Sequence, residues 1–275
     1  MELYYECSDG SRIDLISNGI YAQNPETLVD NEWTYAVLQS NGISRIKRFY
    51  KEAEERILQL SIMYDSKEEY NDRMYQMHRC FEKDVRTKKP GKIWWNGFYK
   101  EVFMFASFYQ EYEEMFDSIE KTVHVLSVNP YWTKKSLYQY PATTNVIGTL
   151  DYNFDYGMDY DKANYIATLD NKSIEYANFE LIFYGPCDNP KVTISGHNYE
   201  LMCTLQKGEY AMIDTINQKI YKYDSVGNRE NIFHLRNKED YVFEKIPAGE
   251  VQIFKEPNIS LSITVYDERG EPSWI

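Results

Sequence analysis

The chain has 275 residues, with 30 Lys and Arg against 43 Asp and Glu for a net charge of -13. That balance argues against a nucleic-acid-binding surface, which needs clustered cations to displace counterions from phosphates. With 43% hydrophobic residues the chain can build one large or two ordinary cores, which excludes disorder as its overall state.

In chain order, the opening MELYYECSDG has no basic stretch followed by an apolar one, so no secretory signal is expected. LYYE predicts a short strand, ended by a turn at Ser8, Asp9 and Gly10. Arg56 to Tyr64 alternates, with Leu58, Leu60, Ile62 and Tyr64 on one face, as in a half-buried strand. The period then changes: Tyr70, Met74, Met77, Phe81 and Val85 recur at spacings of three and four. This predicts a helix over about 66–86, capped by Ser66, with Glu68 and Glu69 facing the helix dipole. Lys89, Pro90 and Gly91 stop it. KIWW and FYKEVFMF, joined by Asn96 and Gly97, predict a hairpin, and KTVHVLSV a further strand.

Residues 141–175 break the pattern, because LDYNFDYGMDYDKANY packs Asp and Tyr together with little periodicity; a surface connector is expected. From Phe179 onward FELIFY, KVTI, YELMCTL, EYAMID, KIYKY, EVQIF and LSITVY alternate with Gly, Pro and Asn turns, which predicts a β-sandwich. The expected organisation is a mainly β, α+β protein: a β-sandwich-like domain over 1–140 with one long helix, a connector over 141–175 and a second β-sandwich over 176–275. Up to Tyr140 the chain carries 18 basic and 22 acidic residues, beyond it 12 and 21, so the acidic excess is -4 and -9. No apolar run approaches the ~20 residues of a membrane-spanning helix. A soluble protein with no membrane partner is expected.

Catalytic signatures are missing. There is no phosphate loop, no dinucleotide fingerprint, no GxSxG elbow and no HExxH pair, and Gly numbers only 13. The four cysteines, Cys7, Cys80, Cys187 and Cys203, are spread too widely for a disulfide framework, so separately buried thiols are expected. His78 and Cys80 lie two apart on the expected helix and point to different faces. Cys187, His197 and Cys203 meet only if neighbouring strands bring them together. Asp151, Asp155, Asp159 and Asp161 lack the every-second-position spacing of an EF-hand loop. No catalytic residue, no cofactor and no metal site is expected.

The 26 Tyr suit partly wet protein interfaces, because tyrosine joins a large apolar face to a polar tip. Aromatic-rich turns on a β-sandwich also fit a carbohydrate-binding module, which stacks rings on sugars.

Several stretches resemble the distal tail (Dit) proteins of long-tailed bacteriophages. FDYGMDY at 154–160 is similar to that family's connector, and FELIFYGPCDNPKVTISG to its opening strand, turn and second strand. KGEYAMIDTINQKIY, with Gly208, Glu209, Ile213, Asp214 and Thr215, is similar to its central hairpin. GNRENIFHLR, FEKIPAGEVQIF and SITVYDERGEPSWI follow in the family's order, with Pro247, Gly249, Tyr266, Pro272 and Trp274 in matching places, and VNPYW at 128–132 is consistent with it. The resemblance implies a galectin-like carboxy-terminal sandwich and an amino-terminal domain that closes into a hexameric ring, single or stacked. It also implies a structural, non-enzymatic hub in the virion tail tip, made in the host cytoplasm. Its implied partners are the tail-tube protein, the tail-associated protein and receptor-binding proteins.

Overall fold

The computed structural model describes residues 2–109, 118–143 and 165–272. It is mainly β, with a single long α-helix among the described residues, as expected from sequence. The chain divides into two compact units, residues 1–134 with 268–275, and residues 135–267.

In the first unit two antiparallel sheets share one long strand, Phe98–Tyr109. Its first half pairs with Gly91–Trp95, which pairs with Leu3–Glu6 and so leads to Arg12–Asp14. Its second half pairs with Ser118–Ser127, followed by Glu54–Met63 and Ile20–Ala22. The Gly91–Trp95 and Phe98–Tyr109 hairpin turns on Asn96 and Gly97, both at positive φ (46° and 80°), the conformation an Asn-Gly pair supplies at least strain. Strand alternation buries Leu58, Leu60 and Ile62 on one side and Ile93, Trp95, Phe98 and Val102 on the other.

The helix Lys67–Thr87 closes this core. Ser66 caps it: its Oγ accepts from the Glu69 amide at 3.1 Å, while the Glu69 carboxylate accepts from the Asp65 amide at 2.9 Å. Met74, Met77 and Phe81 are buried as their spacing predicts, but Val85 is 40% exposed. The buried row instead continues through Cys80 and Asp84. A buried carboxylate is tolerated there because Tyr5 Oη donates to it at 2.6 Å and the Ser8 amide at 3.0 Å. Cys7 and Cys80, 73 residues apart, are joined as a disulfide, which corrects the expectation of separate thiols. The first strand delivers Cys7 to the buried face of the helix, a meeting that spacing in the chain cannot reveal.

The second unit is a β-sandwich. One sheet places Asn178–Tyr184 between Ser260–Arg269 and Tyr210–Asp214, then continues to Lys219–Tyr223 and Arg229–Asn231. The other runs Tyr165–Asn171, Gly249–Lys255, Lys191–Ile194, His197–Glu200. Phe179, Leu181, Phe183, Ile213 and Ile263 share one core with Val192, Ile194, Leu169 and Ile253. The strand Tyr165–Asn171 falls within the stretch expected to be connector. The run YELMCTL forms two strands, because the Met202 amide leaves the ladder to donate to the Leu235 carbonyl at 2.6 Å.

Candidate assembly surfaces

Several of the residues singled out in the sequence can be placed in the structure. Asp151, Asp155, Asp159 and Asp161 lie outside the described residues. His78 is exposed while Cys80 is buried, so the two do point apart as their spacing implies. Cys187 and Cys203 lie near each other across the Cys187–Asp188 and Thr204–Leu205 strand pair, and burial raises both thiols, Cys187 to about 11. Neither is a ready nucleophile, since it is the thiolate that attacks. His197 is engaged elsewhere, with Nε2 2.9 Å from the Tyr241 carbonyl and its ring edge-on to Tyr199. The strand pair thus brings Cys187 and Cys203 together, while His197 Nε2 is taken up by the Tyr241 carbonyl.

Cys7, Cys80 and Asp84 do form a close buried group. Its sulfurs are bonded to each other and the Asp84 oxygens accept from Tyr5 and Ser8, so its donors are occupied. A second polar cluster pairs buried Lys100 with part-buried Glu54 at 2.6 Å, with Arg56 3.0 Å from the same carboxylate and the Lys100 ammonium 4.9 Å from the centre of the Trp132 ring. Burial lowers the Lys100 pKa and the Glu54 contact pulls it back up. The cavity beside these groups is about 10 Å³, room for one water and no substrate.

Four of the residues that carried the sequence resemblance, Glu209, Asp214, Thr215 and Pro247, make hydrogen bonds within the second sandwich. Glu209 accepts from the Gln206 amide at 2.7 Å and pairs with Lys222 at 2.8 Å, contacts that lower its carboxyl pKa. Asp214 accepts from the Asn217 amide, and Thr215 Oγ1 clamps Phe179 through both its N–H and its carbonyl at 2.7 Å. The Pro247 carbonyl accepts from buried Asn171 at 2.9 Å. Trp274 lies outside the described residues.

Two sets of surface aromatics lie on adjacent strands. On the second unit Tyr184, Tyr210 and Tyr223 are directly opposite one another on adjacent strands. Tyr210 and Tyr223 stack at 4.6 Å and 9°, so each has spent one ring face on the other. On the first unit the strands Thr34–Ser40 and Ile43–Tyr50 form a hairpin that pairs only with itself among the described strands. It turns on Asn41 and Gly42, with φ of 50° and 74°. Its apolar residues are turned out to solvent: Tyr35 is 62% exposed, Ile46 60% and Phe49 57%. Sequence reading missed this hairpin, although an Asn-Gly pair between two apolar runs was the available signal.

This architecture defines the fold class: a β-sandwich-like unit with one helix, followed by a β-sandwich, as in the hub proteins of phage tails. Among solved structures, the phage P2 baseplate in its activated conformation with calcium matches 99% of this chain and 100% of that chain at 16% identity, TM-score 0.61. The strontium form of that baseplate matches 98% and 99% at 15% identity, TM-score 0.60. The SPP1 Dit (gp 19.1) protein, described as a paradigm of the hub adsorption apparatus in phages infecting Gram-positive bacteria, matches 98% of both chains at 7% identity, TM-score 0.60. No protein-family model matches the sequence, and neither does any curated protein. The fold is therefore Dit-like over nearly its whole length, as the sequence resemblance implies. No described helix is long and apolar enough to cross a membrane.

Proposed function

We propose that this chain is a structural subunit of a phage tail tip, a non-enzymatic hub that joins the tail tube to the baseplate or tail-tip proteins. The observation that carries this reading is the match to baseplate and hub chains end to end, 98–99% of this chain against 98–100% of theirs. A shared domain embedded in a different protein would leave one side uncovered.

In this reading residues 1–140 close a ring of six, single or stacked, residues 141–175 connect, and residues 176–275 form the outward galectin-like sandwich. The partners are other copies of the chain, the tail-tube protein, the tail-associated protein and receptor-binding proteins. The protein is made in the cytoplasm of the host bacterium and resides in the virion. Light scattering on the purified chain, alone and mixed with tail-tube protein, tests the ring. Six times the chain mass is expected. A chain that stays monomeric in both conditions contradicts it.

A second reading, favoured by the part-exposed tyrosine row Tyr184, Tyr210 and Tyr223, makes the second sandwich a carbohydrate-binding module for host-surface glycans. A glycan array read with the intact protein separates the two. Binding to wall polysaccharide that Tyr184→Ala abolishes supports adhesion, and an array without signal removes it.

A further inference from the structure

We infer that Asn41 is a site of spontaneous backbone modification, where the Asn41–Gly42 turn at the tip of the exposed hairpin loses ammonia and closes on itself as a cyclic imide. The inference is independent of the ring proposed above.

The sequence contains three Asn-Gly pairs, Asn18–Gly19, Asn41–Gly42 and Asn96–Gly97. All three form two-residue hairpin turns with both residues at positive φ: 56° and 78°, 50° and 74°, 46° and 80°. The dipeptide and the sign of its φ angles are thus repeated three times. What differs is what holds the side chain and the strands on either side.

At the first turn Asn18 Nδ2 donates to Asp14 Oδ2 at 2.9 Å, and the Gly19 carbonyl accepts from the Met63 amide at 2.8 Å. The Arg73 guanidinium fills the space where a Cβ of Gly19 would stand. At the third, Asn96 Oδ1 accepts from the Glu2 amide at 2.9 Å, while the Asn96 amide donates to the Glu2 carbonyl at 3.0 Å. The Asn41 side chain has no hydrogen-bond partner among the described residues; Asn41 and Gly42 are both exposed, and the space around Gly42 is open.

The flanking strands differ in the same direction. Ile20–Ala22 pairs with Glu54–Met63 and Gly91–Trp95 with Leu3–Glu6, so those two turns are tied into larger sheets. Thr34–Ser40 and Ile43–Tyr50 pair only with each other among the described strands. A two-stranded ribbon is marginal in water and opens locally at small cost.

That opening permits the reaction. The Gly42 amide nitrogen gives its proton to solvent base and attacks Asn41 Cγ; the N–Cγ bond forms, the Cγ–Nδ2 bond breaks, and ammonia leaves with a proton from water. A second water opens the imide at either carbonyl, giving Asp or an isoaspartyl linkage. One water is consumed and one ammonia released in all, with no change of oxidation state. Glycine leaves the attacking nitrogen unobstructed, and the rate follows the population of opened turn. Either product places a carboxylate on a ribbon whose residues 33–51 include Arg45, Lys47, Arg48 and Lys51 and no acid. The isoaspartyl form also adds a backbone methylene, for which a two-residue turn has no place.

The test follows the full-length chain over a time course in mildly alkaline buffer, with peptide mass spectrometry that assigns each amide-to-acid mass gain to a residue. In the folded chain Asn41 is expected to convert at least about tenfold faster than Asn18 or Asn96, since each of those must first give up hydrogen bonds that Asn41 lacks. In urea the three rates are expected to draw level, because no fold holds any of them. Asn41→Gln, whose longer side chain requires a six-membered ring, is expected to lose the conversion at position 41 while keeping the parent's melting temperature. Equal folded-state rates at the three positions, or a lead for Asn18 or Asn96, overturn the inference. So does a lead for Asn41 that survives undiminished in urea, because sequence and not fold would then set the rate.

Discussion

Two hairpins of the first unit share a turn chemistry and meet opposite fates. Gly91–Trp95 with Phe98–Tyr109 turns on Asn96 and Gly97, and Thr34–Ser40 with Ile43–Tyr50 turns on Asn41 and Gly42. In the first, Ile93, Trp95, Phe98 and Val102 are at most 2% exposed. In the second, Tyr35, Val37, Ile46 and Phe49 are at least 42% exposed. Turn chemistry makes a hairpin; whether its apolar face stabilises the chain or an assembly depends on what tertiary structure puts against it. The first has the helix and a second sheet. The second has solvent among the described residues, so its apolar side chains add little to the stability of the single chain.

The widest separation between the two should appear on truncating one apolar residue in each. Ile93→Ala is expected to cost about 2–5 kcal/mol of stability, the range for emptying a packed site. Ile46→Ala, at concentrations where the chain is monomeric, should stay within about 0.5 kcal/mol. Urea unfolding measures both, and equal losses would break the comparison.

The buried hairpin begins at Gly91, where an added Cβ would run into the Tyr5 hydroxyl and the Asp84 carboxylate. Gly91→Ala is expected to destabilise by about 1–3 kcal/mol, the usual cost of overpacking. Gly42 in the exposed hairpin has open space around it, so Gly42→Ala should show only the cost of its positive φ, read as the difference in melting temperature between the two variants. At the neighbouring site, Asp84→Ala strands the Tyr5 hydroxyl and the Ser8 amide and should cost about 1–3 kcal/mol. Adding Tyr5→Phe should recover part of that loss, and a double-mutant cycle with no coupling would show that the bond at 2.6 Å contributes nothing.

A further difference concerns pH. Lys121 lies on the strand that pairs with the buried hairpin, and burial lowers its pKa to about 8 from 10.5. Between those values the unfolded chain holds a proton that the folded chain has released, so this group makes stability rise with pH above about 8. Below about 8 both states are protonated and it contributes no slope. Lys121→Met should flatten that alkaline rise in urea midpoints measured at pH 7.5 and upward in steps of about half a unit.

Local signals were legible in the sequence. The Ser66 cap, the three-and-four spacing through Phe81 and the Asn96–Gly97 turn each act within a few residues, and each appears in the structure. Most carboxy-terminal strands also appear, KVTI and KIYKY with the expected ends, since short alternating runs were bounded by Gly and Pro. What stayed hidden depended on distance or on broken phase. The exposed hairpin escaped because the consecutive apolar pair Val37 and Leu38 spoils simple alternation on one strand and a bulge that leaves Lys47 unpaired shifts the register on the other. Tyr165–Asn171 was masked by its Asp- and Tyr-rich neighbourhood. The Cys7–Cys80 bond and the bonds that Tyr5 and Ser8 give to Asp84 join residues more than 70 apart, which only the folded chain brings together.

Cryo-electron microscopy of the intact virion's tail tip addresses the central claim most directly. The account predicts six copies of this chain in a ring between the tail tube and the tip proteins, single or stacked. A tip that lacks this chain, or one that holds it as a lone copy away from the tube, would contradict it.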